Sequence, residues 1–210
     1  MTKLTPQEEI TKQSYDSVAA DWADTHKTVK FWQDNFDEFF RLLPSGRLLE
    51  IGCGSGRDAR ELIGQGYDYV GTDISGPQLE QARKNNPGAD FKQVSLYDLD
   101  FDKPFDGFWA AAVLIHVPKS RIDEALSSIT KNMKAKAIGF IAMKEGEGEE
   151  LQTKDYLKNT PYFFAFWQRG EFREVLTRHG MTTLHEDYIP MSHGTKWLTY
   201  IVRFDGSPEE

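Results

Sequence analysis

Apolar and polar residues follow two different rhythms along the chain. Near the N-terminus, apolar residues recur at mostly helical spacing through residues 7–22 and 29–43, which predicts two helices before the breaker Pro44-Ser45-Gly46. After this breaker, short apolar runs typical of buried strands alternate with amphipathic stretches typical of helices. The predicted strands cover residues 46–52, 67–73, 90–96, 105–114, 135–143, 181–189 and 196–204, and the predicted helices between them cover residues 57–63, 75–86, 119–133 and 170–180.

This alternation of strands and helices predicts the fold class. Helices between consecutive strands favour a parallel sheet with right-handed crossovers and helices on both faces. Residues 181–189 and 196–204 are joined by only a short loop, so these two strands should pair antiparallel. We therefore expect an α/β protein with a doubly wound, mostly parallel seven-stranded sheet and an antiparallel C-terminal edge strand. Ligands of such sheets bind at the carboxyl ends of the strands, where the strand order reverses.

The composition narrows the class of protein. The chain has 210 residues, of which 39% are hydrophobic, and this suits one globular domain. Its net charge of −8, with no long basic run, disfavours a nucleic-acid partner. We find no apolar stretch approaching ~20 residues and no apolar signal-peptide core, so no membrane span and no export are predicted. A single cysteine, Cys53, fits a reducing compartment, and the predicted location is cytoplasmic.

The sequence LLEIGCGSGRD at residues 48–58 places three glycines at alternate positions after the first buried strand. One interpretation is the dinucleotide fingerprint G-x-G-x-x-A at residues 54–59, with Asp73 as the ribose carboxylate. Glu50 argues against it, because an ionised carboxylate ~4 Å from a pyrophosphate costs on the order of 4 kcal/mol. We therefore expect a ligand that is cationic or donates hydrogen bonds at this end. S-adenosylmethionine carries an ammonium, a sulfonium, a ribose and an adenine, and meets this requirement.

Several motifs together resemble one known family, the class I S-adenosylmethionine-dependent methyltransferases. They are the E-x-G-x-G-x-G signature in LLEIGCGSGR, the sequence GTDIS after the second strand, FDGFWAAAVLIHVP over the fourth strand, and the closing pair of strands. YDSVAADWA is similar to the stretch that covers the cofactor in many small-molecule members, where Tyr15 either caps the cofactor or is an ordinary core aromatic. The resemblance implies a Rossmann-like single domain over residues 1–210, with a helical cap (1–44), a cofactor-binding half (45–143) and a substrate side (144–210).

The resemblance implies cofactor-binding roles in the glycine loop. Gly52, Gly54 and Gly56 would line the methionine and ribose portions of S-adenosyl-L-methionine. Glu50 would hold the amino group of the cofactor, directly or through water. Arg57, at the helix start, is well placed for the carboxylate of the ligand.

The resemblance also implies cofactor-binding residues at the ends of the later strands. Asp73 would accept hydrogen bonds from both ribose hydroxyls, and Ile74 would pack on the adenine face. The family usually has an acid facing the adenine amino group, but Ser95 stands at that position here. This departure weakens the adenine contact or transfers it to the backbone of Leu96. Ala111 would lie under the methionine chain.

The implied activity is methyl transfer to a small-molecule acceptor by direct in-line displacement. The strand ends lack the paired Asp and Asn positions of a metal-dependent catechol enzyme, so no metal is expected, and the oligomeric state is a monomer or homodimer. Two rival functions stay open, an RNA methyltransferase of the tRNA wobble-uridine type and a cofactor-binding regulator without turnover. A nicotinamide-dependent oxidoreductase is a more distant alternative.

Residues after the fourth and fifth strands are candidates for the acceptor side. His116 is a candidate general base, or else it packs against or caps the helix that begins at HVP. The run KEGEGEE at residues 144–150 is either a solvated loop or an acidic lid that selects amine substrates through Glu145 and Glu147.

The aromatic run YFFAFWQR at residues 162–169 also follows the fifth strand. It indicates core packing or a pocket wall in which Tyr162, Phe164 or Trp167 stacks on the acceptor.

Overall fold

This computed structural model describes residues 2–26, 30–154, 159–191 and 194–206. These residues contain six α-helices and nine β-strands. The helices are α1 Pro6–Thr25, α2 Gln33–Leu42, α3 Ala59–Gly64, α4 Gly76–Asn85, α5 Ile122–Thr130 and α6 Arg169–Arg178. The strands are β1 Arg47–Ile51, β2 Asp68–Asp73, β3 Asp90–Gln93, β4 Phe105–Ala111, β5 Met133–Lys144, β6 Glu149–Lys154, β7 Thr160–Ala165, β8 Met181–Pro190 and β9 Lys196–Phe204.

The main sheet has seven strands in the order β3-β2-β1-β4-β5-β9-β8. Strands β1 to β5 run parallel, and β9 is antiparallel to both of its neighbours, β5 and β8. The predicted fold class is therefore confirmed. Because the strand order reverses between β1 and β4, a crevice forms at the carboxyl ends of these two strands.

Alternating residues of the central strands face two separate cores. On β4, Phe108 belongs to the core beneath α5 and α6, whereas Trp109 points to the opposite face. There, the Trp109 ring stacks between Phe36 of α2, with ring centroids 4.3 Å apart, and Phe140 of β5, with centroids 3.9 Å apart. Fully buried strands covered by helices on both sides explain why β1, β4 and β5 appear in the sequence as continuous apolar runs.

Helix α1 begins at a well-formed cap. The Thr5 side chain accepts a hydrogen bond from the Glu8 amide, the Glu8 carboxylate accepts one from the Thr5 amide at 2.7 Å, and Pro6 occupies the first turn. The helix extends three residues beyond the predicted end at residue 22. Its C-terminal half therefore reaches over the crevice in the sheet.

A two-stranded hairpin, β6 and β7, lies outside the main sheet. The sequence predicted a loop or an acidic lid for residues 144–150, and no strand at residues 149–154. The strand forms because Glu150 and Leu151 pair with Phe164 and Phe163 of β7, whose apolar side chains are buried. The side chains of β6 form no buried face, so β6 is a strand because it pairs with β7 and not because of its own sequence pattern.

No helix in the described part of the chain is long and apolar enough to span a bilayer. The division at residues 44 and 143 into cap, cofactor half and substrate side stays a prediction, and its outermost residues lie outside the described ranges.

Candidate active site

A cavity of about 540 Å³ opens at the carboxyl ends of β1, β2, β4 and β5, with α1 forming one wall. Its size falls in the range of small-molecule sites. The sequence-predicted residues on its wall are Tyr15, Gly52, Gly54, Arg57, Asp73, Ile74, Ser95, Leu96, Ala111, His116, Tyr162 and Phe164. The structure places five others away from this wall: Glu50, Gly56, Glu145, Glu147 and Trp167.

The glycine loop requires a backbone that other residues rarely adopt. Gly52, Gly54 and Gly56 have φ angles of +68°, +54° and +74°. A Cβ on Gly52 would collide with Val113, and one on Gly56 would collide with Asn86. A Cβ on Gly54 would make only an ordinary contact, with Gln78 Oε1 at 3.8 Å, and Gly56 serves close packing of the loop on α4 rather than the cavity.

Asp73 lies at the tip of β2 with its carboxylate held by backbone amides. Oδ2 accepts a hydrogen bond from the Gly54 amide at 2.8 Å, and Oδ1 accepts one from the Ser75 amide at 2.8 Å. Burial raises the pKa of Asp73, and these amide hydrogen bonds oppose the rise. Each oxygen retains a further lone pair, so the carboxylate can accept two more hydrogen bonds from the cavity.

Glu50 is buried behind the loop rather than in the cavity wall. Its carboxylate accepts a hydrogen bond from the Tyr69 hydroxyl, and its carbonyl accepts one from Thr72 Oγ1 at 3.0 Å. Burial, followed by the negative charge of Asp58, raises the pKa of Glu50 well above its usual range. Direct contact of Glu50 with the cofactor does not fit this geometry, and the alternative contact through water stays a prediction.

Asp58 stands on the wall instead, and sequence reasoning missed it. It accepts hydrogen bonds from Arg57 Nε at 2.5 Å and from Trp109 Nε1 at 3.0 Å, and its side chain is buried. Arg57 also lines the cavity, but its guanidinium already holds this carboxylate. The signal available in the sequence was an acid directly after the glycine loop.

Gln78 of α4 is a second residue that sequence reasoning missed. Its Nε2 donates to the Tyr15 carbonyl at 3.4 Å, while its buried Oε1 has no hydrogen-bond partner among the described residues. This oxygen lies 3.8 Å from where a Cβ on Gly54 would stand, and Gln78 lines the cavity. A buried acceptor without a donor is costly, so a ligand donor fits here.

His116 is held as a neutral imidazole. Its Nδ1 lies 2.7 Å from the Phe163 carbonyl, which only accepts, so Nδ1 carries the proton. Its Nε2 then accepts from the Tyr15 hydroxyl at 3.0 Å. Burial lowers the pKa of His116 to about 4.

Lys144, at the end of β5, places a positive charge on the wall beside the run that the sequence predicted as either a solvated loop or an acidic lid. It is 8% exposed, and its Nζ lies 3.5 Å from the ring centroid of Phe164. Glu145 instead pairs with Lys196 at 3.6 Å outside the cavity, and Glu147 is exposed to solvent. These positions do not bring the two acids to an acceptor.

Tyr162 and Phe164 face the cavity, whereas Trp167 does not. Trp167 packs on Phe172 with ring centroids 5.3 Å apart, and Lys119 Nζ lies 4.5 Å above its ring. The aromatic run is thus divided between the pocket wall and the core, since alternate side chains of a strand point to opposite faces.

A family model described as a methyltransferase domain matches residues 48–136, from β1 into β5. The match covers the glycine loop, Asp73 and the end of β4.

Curated relatives match this chain at low sequence identity and over part of its length. The chain is 25% identical over 150 residues to a ubiquinone biosynthesis O-methyltransferase from Rickettsia akari, covering 65% of this chain and 59% of the relative. It is 30% identical over 135 residues to a trans-aconitate 2-methyltransferase from Rhizobium rhizogenes, covering 62% of this chain and 52% of the relative. The chain thus spans less than two thirds of the length of these relatives.

Solved structures share the fold over nearly the whole chain. A 1,6-didemethyltoxoflavin-N1-methyltransferase from Burkholderia thailandensis, with bound S-adenosylhomocysteine, has a TM-score of 0.76 at 18% identity and covers 98% of this chain and 93% of its own. The N-methyltransferase NodS from Bradyrhizobium japonicum, also with S-adenosylhomocysteine, has a TM-score of 0.67 at 16% identity and covers 95% of this chain and 99% of its own.

Proposed function

Because the chain belongs to the class I S-adenosylmethionine-dependent methyltransferases, we propose that it transfers a methyl group from this cofactor to a small-molecule acceptor. The observation that carries the proposal is the Asp73 carboxylate, oriented by the Gly54 and Ser75 amides toward the cavity. A carboxylate in this position accepts two vicinal hydroxyls, which the ribose of the cofactor provides.

Different residues on the cavity wall would contact different portions of the cofactor. Asp73 would hold the ribose, and the unpartnered Oε1 of Gln78 offers a further acceptor beside Gly54. Ile74 and Leu96 form an apolar wall for the adenine. Ser95 Oγ accepts from the Tyr97 amide at 3.3 Å and carries no negative charge, so it is a weaker acceptor than the acid that the family usually has at this position.

When bound, the cofactor supplies an electrophilic methyl group on a sulfonium. The protein's task is to orient the acceptor in line and to exclude water, which contributes roughly 7–11 kcal/mol to lowering such barriers. Asp73 would hold the cofactor so that its methyl group could be offered to a lone pair of the acceptor.

His116 has a limited part in this chemistry. Its neutral Nε2 accepts from the Tyr15 hydroxyl, so the pair fixes α1 against the turn that follows β4. A general-base role requires Tyr15 to move aside or to relay the proton. We therefore propose His116 as a positioning residue for Tyr15.

The named substrates of the relatives, and the size of the cavity, support a small molecule as acceptor. The net charge of −8 supports the same choice over RNA. Cytoplasmic location and a monomeric or homodimeric state stay predictions.

Calorimetry with S-adenosylmethionine and S-adenosylhomocysteine tests the proposal. We expect both to bind the wild-type chain, and Asp73→Asn to weaken both by at least about tenfold, because one oxygen becomes an amide that faces a backbone N–H donor. Asp68→Asn, at the opposite and exposed end of β2, is the matched control and should bind normally. Absence of binding to the wild type contradicts the proposal.

Turnover distinguishes an enzyme from a regulator that only binds. We expect S-adenosylhomocysteine to accumulate when the protein is incubated with the cofactor and a small-molecule library, and expect RNase treatment to leave this activity unchanged. Tight cofactor binding with no product across the library would favour the regulator.

A further inference from the structure

Three buried side-chain atoms among the described residues have no hydrogen-bond partner: Trp32 Nε1, Gln78 Oε1 and Trp167 Nε1. Buried polar atoms are almost always paired, so an unpaired one on a cavity wall points to a ligand. Gln78 Oε1 lies beside the glycine loop, where the cofactor would supply its donor. Trp167 does not line the cavity, whereas Trp32 does, although only 2% of it is exposed. Trp32 Nε1 is therefore a donor on the wall that cofactor binding leaves unused.

The side chains packed on the Trp32 ring offer no acceptor atom. Phe31, Phe140 and Trp197 contact it edge to face, with ring centroids 4.3, 5.7 and 5.5 Å away. A phenyl ring has no nitrogen or oxygen, and an indole nitrogen only donates. The packing of three rings also holds the Trp32 side chain in one orientation. A ligand in the cavity that this ring lines can supply the missing acceptor.

Trp32 lies far from the site proposed for the nucleoside. Its ring packs against Phe140 of β5 and Trp197 of β9, whereas Asp73 is the last residue of β2. In the order β2-β1-β4-β5-β9, strand β5 is three positions from β2, which is about 14 Å at about 4.8 Å per strand. Because the nucleoside would occupy the β1–β2 side, the Trp32 side is left for the molecule that receives the methyl group.

The wall beside Trp32 is aromatic. Phe31 and Trp197 both line the cavity, and their ring centroids are 6.2 Å apart, so the three rings form one continuous patch. Such a patch favours a flat, conjugated ligand, which can pack on it face to face or edge to face. A carbonyl oxygen or a ring nitrogen accepts near the plane of its own ring. One flat molecule can therefore pack on the patch and also accept from Nε1.

We infer that the methyl acceptor is a flat, conjugated molecule whose carbonyl oxygen or ring nitrogen accepts a hydrogen bond from Trp32 Nε1, with Phe31 and Trp197 packed on its body. This inference rests on the proposed function and names the substrate class of the same site. A molecule without such an atom leaves the buried N–H unpaired, and a site built around a hydrogen bond rejects analogues that lack the matching group. Trp32 is thus a specificity-determining residue.

Indole NMR signals test this contact in the full chain saturated with S-adenosylhomocysteine. The chain has five Trp residues, and the signal that disappears in Trp32→Phe belongs to Trp32 Nε1–H. Trp32→Tyr gives the same assignment should Trp32→Phe fail to fold. The probes are flat bicycles: quinoxaline and chromone carry acceptor atoms, naphthalene carries none, and indole carries only a donor. We expect quinoxaline or chromone to move the Trp32 signal downfield, as a new hydrogen bond does, and expect no downfield shift with naphthalene or indole.

Affinity measurements assign the preference to the N–H group. Trp32→Phe keeps an aromatic ring and removes the donor, so it should weaken quinoxaline at least about fivefold more than naphthalene. Trp167→Phe is the matched control, because it removes the other unpaired indole, which does not line the cavity, and it should leave both affinities unchanged. Wild-type affinity for S-adenosylhomocysteine in Trp32→Phe shows that the variant is folded and its cofactor site intact.

The inference is overturned if neither quinoxaline nor chromone binds, if naphthalene moves the Trp32 signal downfield as far as they do, or if Trp32→Phe weakens quinoxaline and naphthalene equally. Failure of the proposed function gives a different result, since the wild-type chain would then not bind S-adenosylhomocysteine at all.

Discussion

Burial controls the protonation of the ionisable side chains around the cavity. His116 is kept neutral, with its two nitrogens committed to the Phe163 carbonyl and the Tyr15 hydroxyl. Glu50 is kept from ionising easily by burial and by Asp58. Both shifts oppose charge inside the protein, so they make stability depend on pH in opposite directions.

Acidification should destabilise the protein through His116. Its pKa is 6.5 when unfolded and about 4 when folded, so below pH 6.5 the unfolded chain binds a proton that the folded chain does not. Stability is therefore complete above pH 6.5 and decreases as the pH falls toward 4, by about 2 kcal/mol at pH 5. In urea titrations, the free energy of unfolding of His116→Gln should not show this part of the decrease with falling pH.

The corresponding control replaces a half-exposed histidine of β8, as His185→Gln, and should keep the part of the decrease that His116 causes. Equal slopes for wild type and His116→Gln would mean that His116 titrates normally in the folded protein.

Glu50 should make the protein less stable as the pH rises, which is the opposite of the effect of His116. Because its pKa is raised in the folded state, the folded chain keeps a proton that the unfolded chain releases above pH 4.5, and stability is lost as the pH rises. Glu50→Gln keeps an oxygen that accepts from Tyr69 and removes this loss. We expect a higher free energy of unfolding at pH 7 for Glu50→Gln, and no change for the exposed Glu80→Gln in a parallel urea titration.

At the scale of elements, helix α1 closes the cavity by bonding to the hairpin and to α4. Ser14 Oγ donates to the Pro161 carbonyl at 2.6 Å, and the Phe163 amide donates to Thr11 Oγ1 at 2.9 Å. On its other side, Asp16 accepts from Ser75 Oγ at 2.5 Å. These polar contacts place Tyr15 over the pocket.

Thr11→Val should weaken the contact between α1 and the β6–β7 hairpin. The Phe163 amide is buried and loses its acceptor, which lowers the free energy of unfolding by about 1–3 kcal/mol. Because α1 then opens more often, we also expect faster dissociation of S-adenosylhomocysteine in stopped-flow measurements. Gln13→Ala, on the exposed face of the same helix, should leave both quantities at their wild-type values.

At the scale of the whole molecule, the sheet order distributes the charged residues of the cavity over the ends of several strands. The acids Asp58 and Asp73 follow β1 and β2, and Lys144 ends β5, with the crossover point between β1 and β4 in the middle. A cationic cofactor would therefore lie on the side of the cleft that carries Asp58 and Asp73.

Cofactor binding should stabilise the whole fold. At a ligand concentration of 100 times Kd, linkage predicts about 2.7 kcal/mol, which raises Tm by several degrees. We expect S-adenosylhomocysteine to raise Tm, NAD to leave it unchanged, and Asp73→Asn to lose the shift. A rise with NAD alone would instead favour a nicotinamide-dependent enzyme.

Much of the fold could be predicted from the sequence. The predicted strands at residues 67–73 and 196–204 match β2 and β9 within a residue, because apolar runs and breakers are local signals. The hairpin could not be predicted, since Glu149–Lys154 has no apolar period of its own and becomes a strand only by pairing with β7.

The glycine loop and the acid at the end of β2 were determined by the sequence alone, since glycine adopts those φ angles most readily and Asp73 is the last residue of its strand. Tertiary structure decided which neighbouring charge faces the cavity: Asp58 rather than Glu50, and Lys144 rather than Glu145. Along a chain these acids and bases are only a few positions apart. Which of them points inward depends on strand pleat and on the partners that bury the others, and both are set by distant parts of the chain.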